Sequence, residues 1–471
     1  MLNLLSLLGI FGLCFIAWLG SEDRRVIPWK VIFWGIALQL LIGLLVFAMP
    51  FTRELILGLN NLVNGIIDAS DAGGRFLFGP IFVPDLSRSV GPTGAGRWIA
   101  RALTPAFTPV AGDRIGAANL DMGYIFAFRS LPQIIFFSAL LSLVYRLGLI
   151  QPIVQFFARI FRRTMNLSGA ESLSGAANIF VGIESLIAVK PFLANMTRSE
   201  LCAILASCFG SIASTVLALY AGFLRPVFPT ITGHLMSASI LTIPACFVIS
   251  KLLVPEKEVP ESLGHVPEDK EDPELVGQSP MDALIGGALD GVKMAVGIAA
   301  VLVAILGLIA LLNLLFASLA GLANSSIALL RPIGQLFSVI TLQNIMGAIF
   351  LPLTFLTGVS LEWSELWQAS VIIGRRLLET AIPPYQQLAV LSAEGAINER
   401  TLLIVSYALC GFAHIPSVGI FVGGLAGLIP SRRKDISELG WKALWAGTLA
   451  TLMAGAVAGV FYREGASVLI P

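Results

Sequence analysis

SGAESLSGAANIFVGIESLIAVKPFLANM, residues 168–196, is apolar along most of its length but broken in the middle at Gly182-Ile183-Glu184. Each half has only about 10–14 residues, too few for a helix that must cross a bilayer, which takes about 20. Two short apolar halves joined at a glycine predict a re-entrant hairpin whose tip lies at membrane depth. Residues 364–396 repeat the pattern around Glu379-Thr380-Ala381-Ile382-Pro383-Pro384. Each hairpin is followed by an interrupted apolar span and then by a plain one. The first pair is 200–223, interrupted at Gly210-Ser211-Ile212-Ala213-Ser214, and 229–252. The second pair is 401–429, interrupted near Gly411-Phe412-Ala413-His414-Ile415-Pro416-Ser417, and 439–462.

Charge sets the direction of the two units. Short loops rich in Lys and Arg stay in the cytoplasm. Arg198 precedes the first broken span, whereas Arg432, Arg433 and Lys434 follow the second, so the two units run in opposite senses. Corresponding broken segments in inverted halves point to a transporter's binding site near the midplane. The expected fold is an all-α integral membrane protein of about eight transmembrane helices plus two re-entrant hairpins in inverted repeats.

The rest of the chain fits this frame. Spans are expected at about 2–20, 31–50, 124–148 and 291–323, with a less regular apolar region near 330–358. Arg24, Arg25 and Lys30 between the first two spans place the N-terminus outside. The opening MLNLLSLLGIFGLCFIAWLG lacks a basic stretch and a small-residue cleavage site, so it reads as a membrane helix and not as a removed signal. Residues 51–80 are half polar and suit the interface, 81–122 form a polar excursion rich in Gly and Pro, and 254–280 form a charged, Pro-rich surface loop.

Composition agrees. The 471 residues are 56% hydrophobic and 13% charged, with a mean hydropathy of +0.86. Soluble domains carry about 25% charged residues. Alternating ten-residue strands of the outer-membrane barrel type are not seen. A net charge of +1 gives no footprint for nucleic acid. Cys14, Cys202, Cys208, Cys246 and Cys410 all lie in apolar stretches, which suits reduced thiols. Only His234, His265 and His414 are present, and no HExxH or CxxC occurs, so no metal enzyme and no cofactor are expected.

The chemistry should sit where the helices break, because irregular backbone at membrane depth survives only when buried or lining a polar cavity. Asn178 and Ser211 are hard-oxygen ligands suited to sodium beside freed carbonyls; the alternative is ordinary hydrogen bonding between helices. Glu184 at the first tip is a functional candidate because a carboxylate in the bilayer is expensive; pairing with Lys190 is its structural alternative. Glu379 follows the same logic, although Arg375 and Arg376 lie one turn away and could neutralise it. His414 could bond a solute, carry a proton or simply pack. Phe412 could stack on a ring or belong to the core. Ser417 could donate to a solute hydroxyl or back to its own helix.

At these positions the sequence resembles the concentrative nucleoside transporter family over nearly the whole chain. The resemblance is carried by FLFG at 76–79, YIFAFRSLPQIIFFSALLSLVYRLG at 124–148, SGAANIFVG at 174–182, PFLANMTRSEL at 191–201, HLMSASILTIPA at 234–245 and ALCGFAHIPSVGIFVGGLAGLIPSRRKDI at 408–436. It implies an N-terminal scaffold module (8–80), a gate-like region with the first hairpin (120–195) and a C-terminal module with the second hairpin (196–465). It also implies a homotrimer of scaffold and moving transport domains in a bacterial cytoplasmic membrane, taking up nucleosides with sodium. The family's sodium ligands match Asn178, Val181, Ser211 and Ile212. Its substrate motifs match less well. GQTE at the first tip reads Gly182-Ile183-Glu184, which loses the base-contacting Gln and Thr. NEFVAY at the second reads Thr380-Ala381-Ile382-Pro383-Pro384-Tyr385, with Ala381 where the ribose-binding Glu stands. The Asn of the last core motif is His414, and the following serine is kept as Ser417. The substrate set expected here is therefore Glu184, Glu379, Thr380, Phe412, His414 and Ser417. A proton-coupled carrier, a carrier of another polar solute and a non-transporting receptor are the alternatives.

Overall fold

The computed structural model describes residues 1–79, 82–83, 125–180, 182–264, 279–325 and 327–463. The excursion expected at 81–122 (apart from 82–83) and residues 265–278 of the charged loop lie outside the described residues. Among the described residues, six helices are long and apolar enough to cross a membrane. They are α1 (Leu2–Leu19), α2 (Trp29–Ala48), α4 (Phe126–Arg146), α9 (Ile231–Leu253), α10 (Pro280–Ala320) and α17 (Arg433–Phe461). Two interrupted pairs, α7 (Arg198–Gly210) with α8 (Ser214–Leu224) and α15 (Glu399–Leu409) with α16 (Ile415–Leu428), stand where the sequence placed its two broken spans.

Both hairpins are present. The first is α6 (Gly169–Asn178) returning through a 3₁₀ helix (Ile183–Asn195), which replaces the α-helical second arm that a hairpin of two helices would have. The second is α13 (Trp363–Glu379) and α14 (Ile382–Ala393). Short helices α5 (Gln151–Met165) and α12 (Leu342–Leu356) lead into them, α12 joined at a sharp bend to α11 (Arg331–Val339). Residues 50–78 form one amphipathic helix, α3 (Pro50–Phe78), which buries Asn60, Asn64, Ser70 and Asp71. The span expected at 291–323 begins earlier, at Pro280, because Ser279 and Asp282 form a capping box that satisfies the first free N–H groups.

Contacts at the two faces prove the inversion. At the face where α1 ends, Arg198 at the start of α7 donates to Glu22 at 3.0 Å. At the face where α1 begins, Arg400 at the start of α15 donates to Asn3 Oδ1 at 2.8 Å. The two broken helices therefore enter the protein from opposite sides.

Packing separates two groups of helices. α9 and α17 are the most buried spans, at 89% and 83% of their apolar windows, and α1, α2, α7 and α15 pack around them. α10 stands outside this core, buried over only 11% of its window, and lies along α4. Gly287 and Gly291, one turn apart, permit that approach. A Cβ at Gly287 would lie 2.4 Å from Ser142 Oγ, and one at Gly291 would lie 2.7 Å from the Ile135 Cα. Within the module expected at 8–80, α1 and α2 pack on the core, while α3 lies against α4 and also bonds the start of α9 through Asn60 and Asn64.

Candidate functional site

The sequence makes the site by stopping helices inside the core. α7 ends at Gly210, and Ser211 (φ −90°, ψ 165°) and Ala213 (φ −65°, ψ 139°) are extended. α15 ends at Leu409, and Cys410 and His414 are extended. The two breaks touch. A Cβ on Gly411 would stand 2.7 Å from the Gly210 carbonyl oxygen and 3.0 Å from that of Phe209. Glycine at 210, 411 and 447 is what allows three backbones to meet there, since Gly447 of α17 lies against Phe209 and Gly210.

Asn178 is the last residue of α6 and is fully buried. Its Nδ2 donates to Cys208 Sγ at 3.6 Å, while its Oδ1 has no partner among the described residues. Ser211, also fully buried, uses its N–H to close the last turn of α7 on Ser207 at 3.0 Å, and its Oγ has no partner among them either. Buried polar atoms are nearly always satisfied, and leaving one unmade costs about 1–3 kcal/mol. Here two hard oxygens, one at the end of α6 and one at the break of α7, are both unmet among the described residues, oxygens of the kind a small hard cation takes as ligands. Ile212 follows in the extended break. Val181 lies outside the described residues, as does the side chain of Glu184.

The first tip turns at Gly182, whose φ of +68° with ψ −137° is a conformation that only glycine adopts easily. The second tip puts Thr380, a β-branched residue, at φ +73° and ψ 176°. That is strained backbone and costs on the order of 1–3 kcal/mol. Beside it, Glu379 is buried and held by Arg375, Nε to Oε1 at 3.0 Å and Nη2 to Oε2 at 2.7 Å. Arg375 also donates to Gln387 of the returning arm. The neutralising role foreseen as an alternative for Glu379 is thus the one its geometry carries.

His414 and Ser417 are engaged with each other. His414 caps α16, its Nδ1 accepting the Ser417 N–H at 3.3 Å and lying 2.9 Å from Ser417 Oγ. The imidazole does the N-capping that Asn or Ser usually does. Phe412 is half-buried and edge-on to His414 (6.0 Å) and to Phe421 (6.1 Å), which in turn meets Phe209 of the first broken helix at 4.9 Å. Asn178, Ser211, Phe412, His414 and Ser417 thereby belong to one region where the breaks cross.

Sequence reasoning passed over Arg376, treating it only as a neighbour of Glu379. It is 1% exposed, and it donates through Nη1 to the Ala408 carbonyl and, at 2.9 Å, to Thr451 Oγ1. No carboxylate among the described residues pairs with it. Its signal was the doubled arginine: Arg375 and Arg376 stand four and three residues before Glu379, both within reach of it, so the sequence supplies two cations for one carboxylate.

Comparison with known proteins decides the family. A model described as the Na+ dependent nucleoside transporter C-terminus matches residues 234–459, the corresponding N-terminus model matches 8–81, and a "Nucleoside recognition" gate model matches 127–227. An uncharacterized transporter of Haemophilus influenzae is 34% identical over 468 residues, covering 98% of this chain and 99% of that protein. The chain belongs to the concentrative nucleoside transporter family. The nucleoside permease NupC of Helicobacter pylori is 29% identical over 463 residues, 98% of each chain. Rabbit (Oryctolagus cuniculus) sodium/nucleoside cotransporter 1 is 29% identical, and the chain spans 63% of its length. The solved structure of CNTnw in an inward-facing substrate-bound state superposes with a TM-score of 0.79 at 32% identity, over 98% of this chain and 99% of that one. An intermediate state of a CNTnw variant gives 0.81, also at 32%, over 98% and 100%. The chain is a multi-pass membrane transporter and not an enzyme.

Proposed function

We propose that this transporter is a sodium-coupled symporter that imports nucleosides, or a closely related small polar solute, across a bacterial cytoplasmic membrane. The observation that carries the coupling is the pair of unmet buried oxygens, Asn178 Oδ1 at the end of α6 and Ser211 Oγ at the break of α7. Sodium binds there with the carbonyls of Val181 and Ile212 and orders the first hairpin. The solute then meets Glu184, Thr380, Phe412, His414 and Ser417. Glu379 acts through its pair with Arg375, which shapes the second tip.

The core around α9 and α17 moves as the transport domain by alternating access, and α3, α4 and α10 form the scaffold. The apolar face of α10, with Val303, Leu311 and Leu314 more than half exposed, serves contact with lipid and with other copies in a homotrimer. Each sodium ion entering down the membrane potential supplies about 2.3 kcal/mol per 100 mV, plus its concentration term. The loss of Gln and Thr at the first tip and of Glu at Ala381 favours a second reading, a solute other than the common nucleosides.

The test is uptake of labelled uridine and adenosine into proteoliposomes with and without an inward sodium gradient, alongside heat stability in sodium and in choline. Sodium-driven uptake supports the whole reading. Sodium stabilisation without nucleoside uptake keeps the ion site and overturns the solute. Uptake driven by a pH step in sodium-free buffer overturns sodium as the coupling ion.

A further inference from the structure

The two repeats place the same element at the same point and fill it differently. In each hairpin a side chain four residues before the positive-φ tip reaches the end of the broken helix that follows. In the first, Asn178 precedes Gly182 and touches Cys208, 30 residues on. In the second, Arg376 precedes Thr380 and touches Ala408, 32 residues on. Cys208 and Ala408 each lie in the last turn before the break, in helices that end at Gly210 and Leu409.

Helices that stop inside a membrane protein leave carbonyl groups and a partial negative charge at their C-terminal ends. The first repeat meets this end with the oxygens of Asn178 and Ser211, which are unpartnered among the described residues and bring acceptors but no cation. The second meets it with a cation already attached, the Arg376 guanidinium on the Ala408 carbonyl and Thr451 Oγ1. A guanidinium buried to this extent with no carboxylate partner among the described residues is costly to keep. Its position at a helix C-terminus is the compensation.

We propose that Arg376 is a tethered cation which occupies, in the second repeat, the place that an exchangeable cation takes in the first. It locks the second hairpin onto the end of α15 permanently. Only the first hairpin is then gated by ion binding, and one sodium ion, not two, accompanies each solute. The stoichiometry rests on the sodium reading of Asn178 and Ser211; the tethered-cation role of Arg376 does not. Arg376 acts on the hairpin and the helix end and is a positioning residue.

The experiment compares Arg376→Lys, Arg376→Gln and Arg376→Ala in the purified full-length transporter, each with and without millimolar guanidinium ion. Arg376→Lys keeps a cation and is expected to hold sodium-driven uridine uptake near the wild-type level. Arg376→Gln keeps a donor for Ala408 but no charge, and is expected to lose about tenfold. Guanidinium should raise the unfolding temperature of Arg376→Ala, leave the wild type unchanged, and recover uptake in that variant. The thermal readout needs neither the solute nor sodium, so it still judges Arg376 if uridine is not transported. Equal behaviour of the Lys and Gln variants would overturn the tethered-cation role, as would an Arg376→Ala protein that guanidinium neither stabilises nor reactivates. A wild-type sodium activation curve steeper than one ion per cycle would overturn the single-ion stoichiometry alone.

Discussion

The first and second repeats have the same order of parts, yet the first presents unmet oxygens at its break while the second presents a buried cation, Arg376, whose Nε and Nη2 are themselves unmet among the described residues. Asn178 Oδ1 and, at the break of α7, Ser211 Oγ likewise have no partners there, and the hairpin's return arm is a 3₁₀ helix. At the break of α15, Arg376 already bonds Ala408, His414 caps α16, and Tyr385 of the returning arm donates to the Ser406 carbonyl at 2.7 Å while stacking on Tyr220 at 4.5 Å. Inverted repeats need not share their energetics. If the proposed sodium site is real, only the half that holds it can report the ion to the rest of the protein.

The largest effect that can break this comparison lies at the first break. Asn178→Ala, or Ser211→Ala, removes one of the two side-chain oxygens of the proposed sodium site. Half-saturating sodium should rise about 100-fold, by analogy with lost metal-site partners. Titrating the unfolding temperature against sodium measures this directly. A variant with the wild-type sodium response would show that the unmet oxygens serve packing and not an ion. The same substitution pattern at the second repeat, Ser417→Ala, should leave the sodium response untouched.

An effect of comparable size, on stability and not on ion affinity, is expected at Arg400, near the start of α15. Its guanidinium donates to the Gly358 carbonyl at 2.8 Å, to Asn3 Oδ1 at 2.8 Å and to Ser6 Oγ at 2.9 Å. It ties α1 to the second repeat. Hydrogen bonds to a charged group are worth about 1.5–3 kcal/mol each when buried. Arg400→Ala should therefore lower stability by about 3 kcal/mol, allowing for relaxation around the site, as measured by thermal or denaturant unfolding in detergent. A loss below 1 kcal/mol would mean that α1 docks by apolar packing alone.

Much of this architecture could be read from the chain before any coordinates. The breaks at Gly182, Gly210–Ser214, Glu379–Pro384 and Gly411–Ser417 stand where the sequence placed them, because a helix core of about 10 residues cannot hide an interruption rich in Gly, Ser and Pro. Basic residues gave the inversion for the same elementary reason. What stayed hidden depends on which of two adjacent side chains turns inward. Arg375 and Arg376 are neighbours in sequence, but one serves Glu379 at the tip and the other crosses to Ala408 and Thr451. The 3₁₀ form of residues 183–195 was equally hidden, since its apolar residues fit either helix. His414 was read as a solute contact, a proton carrier or packing; its capping of α16 appears only once Pro416 is seen inside the first turn.

The two tips offer a test of about 1–2 kcal/mol, from their backbone strain. Gly182 and Thr380 both have positive φ, but only the glycine is at ease there. Thr380→Gly should stabilise the protein by about 1 kcal/mol if strain is all that the threonine contributes, and Gly182→Ala should destabilise it by a similar amount. Comparing unfolding temperatures in both variants, with sodium present, isolates the tips. A Thr380→Gly variant that is less stable than the parent would mean that the threonine side chain supplies more than its strained backbone costs.

The smallest effect separates the repeats by pH. Arg198 and Arg400 stand at matching places, at the starts of the two broken helices, but their partners differ in kind. Arg198 faces carboxylates, Glu22 at 3.0 Å, Glu438 at 3.4 Å and Asp435 at 3.8 Å, whereas Arg400 faces a carbonyl, an amide oxygen and a hydroxyl. Glu22 lies outside the membrane between α1 and α2. Partial burial alone would push its carboxyl up, but the hydrogen bonds and charges of Arg198 and Lys442 outweigh that and hold it below its ordinary value of 4.5. A carboxyl whose folded pKa is depressed contributes stability that is fully present above the unfolded value and is lost as pH falls through the folded one. The first repeat should therefore weaken below about pH 4.5, while the Arg400 contacts, which have no titrating acid, should not. Glu22 is only partly buried, at the protein surface, so screening limits the effect to less than about 1 kcal/mol. Glu22→Gln should flatten the acid limb of the unfolding temperature by that amount and leave the neutral-pH sodium response unchanged. If the acid limb is as steep in Glu22→Gln as in the parent, the acid-sensitive contacts lie elsewhere, and the contrast between the two arginines is one of geometry and not of charge.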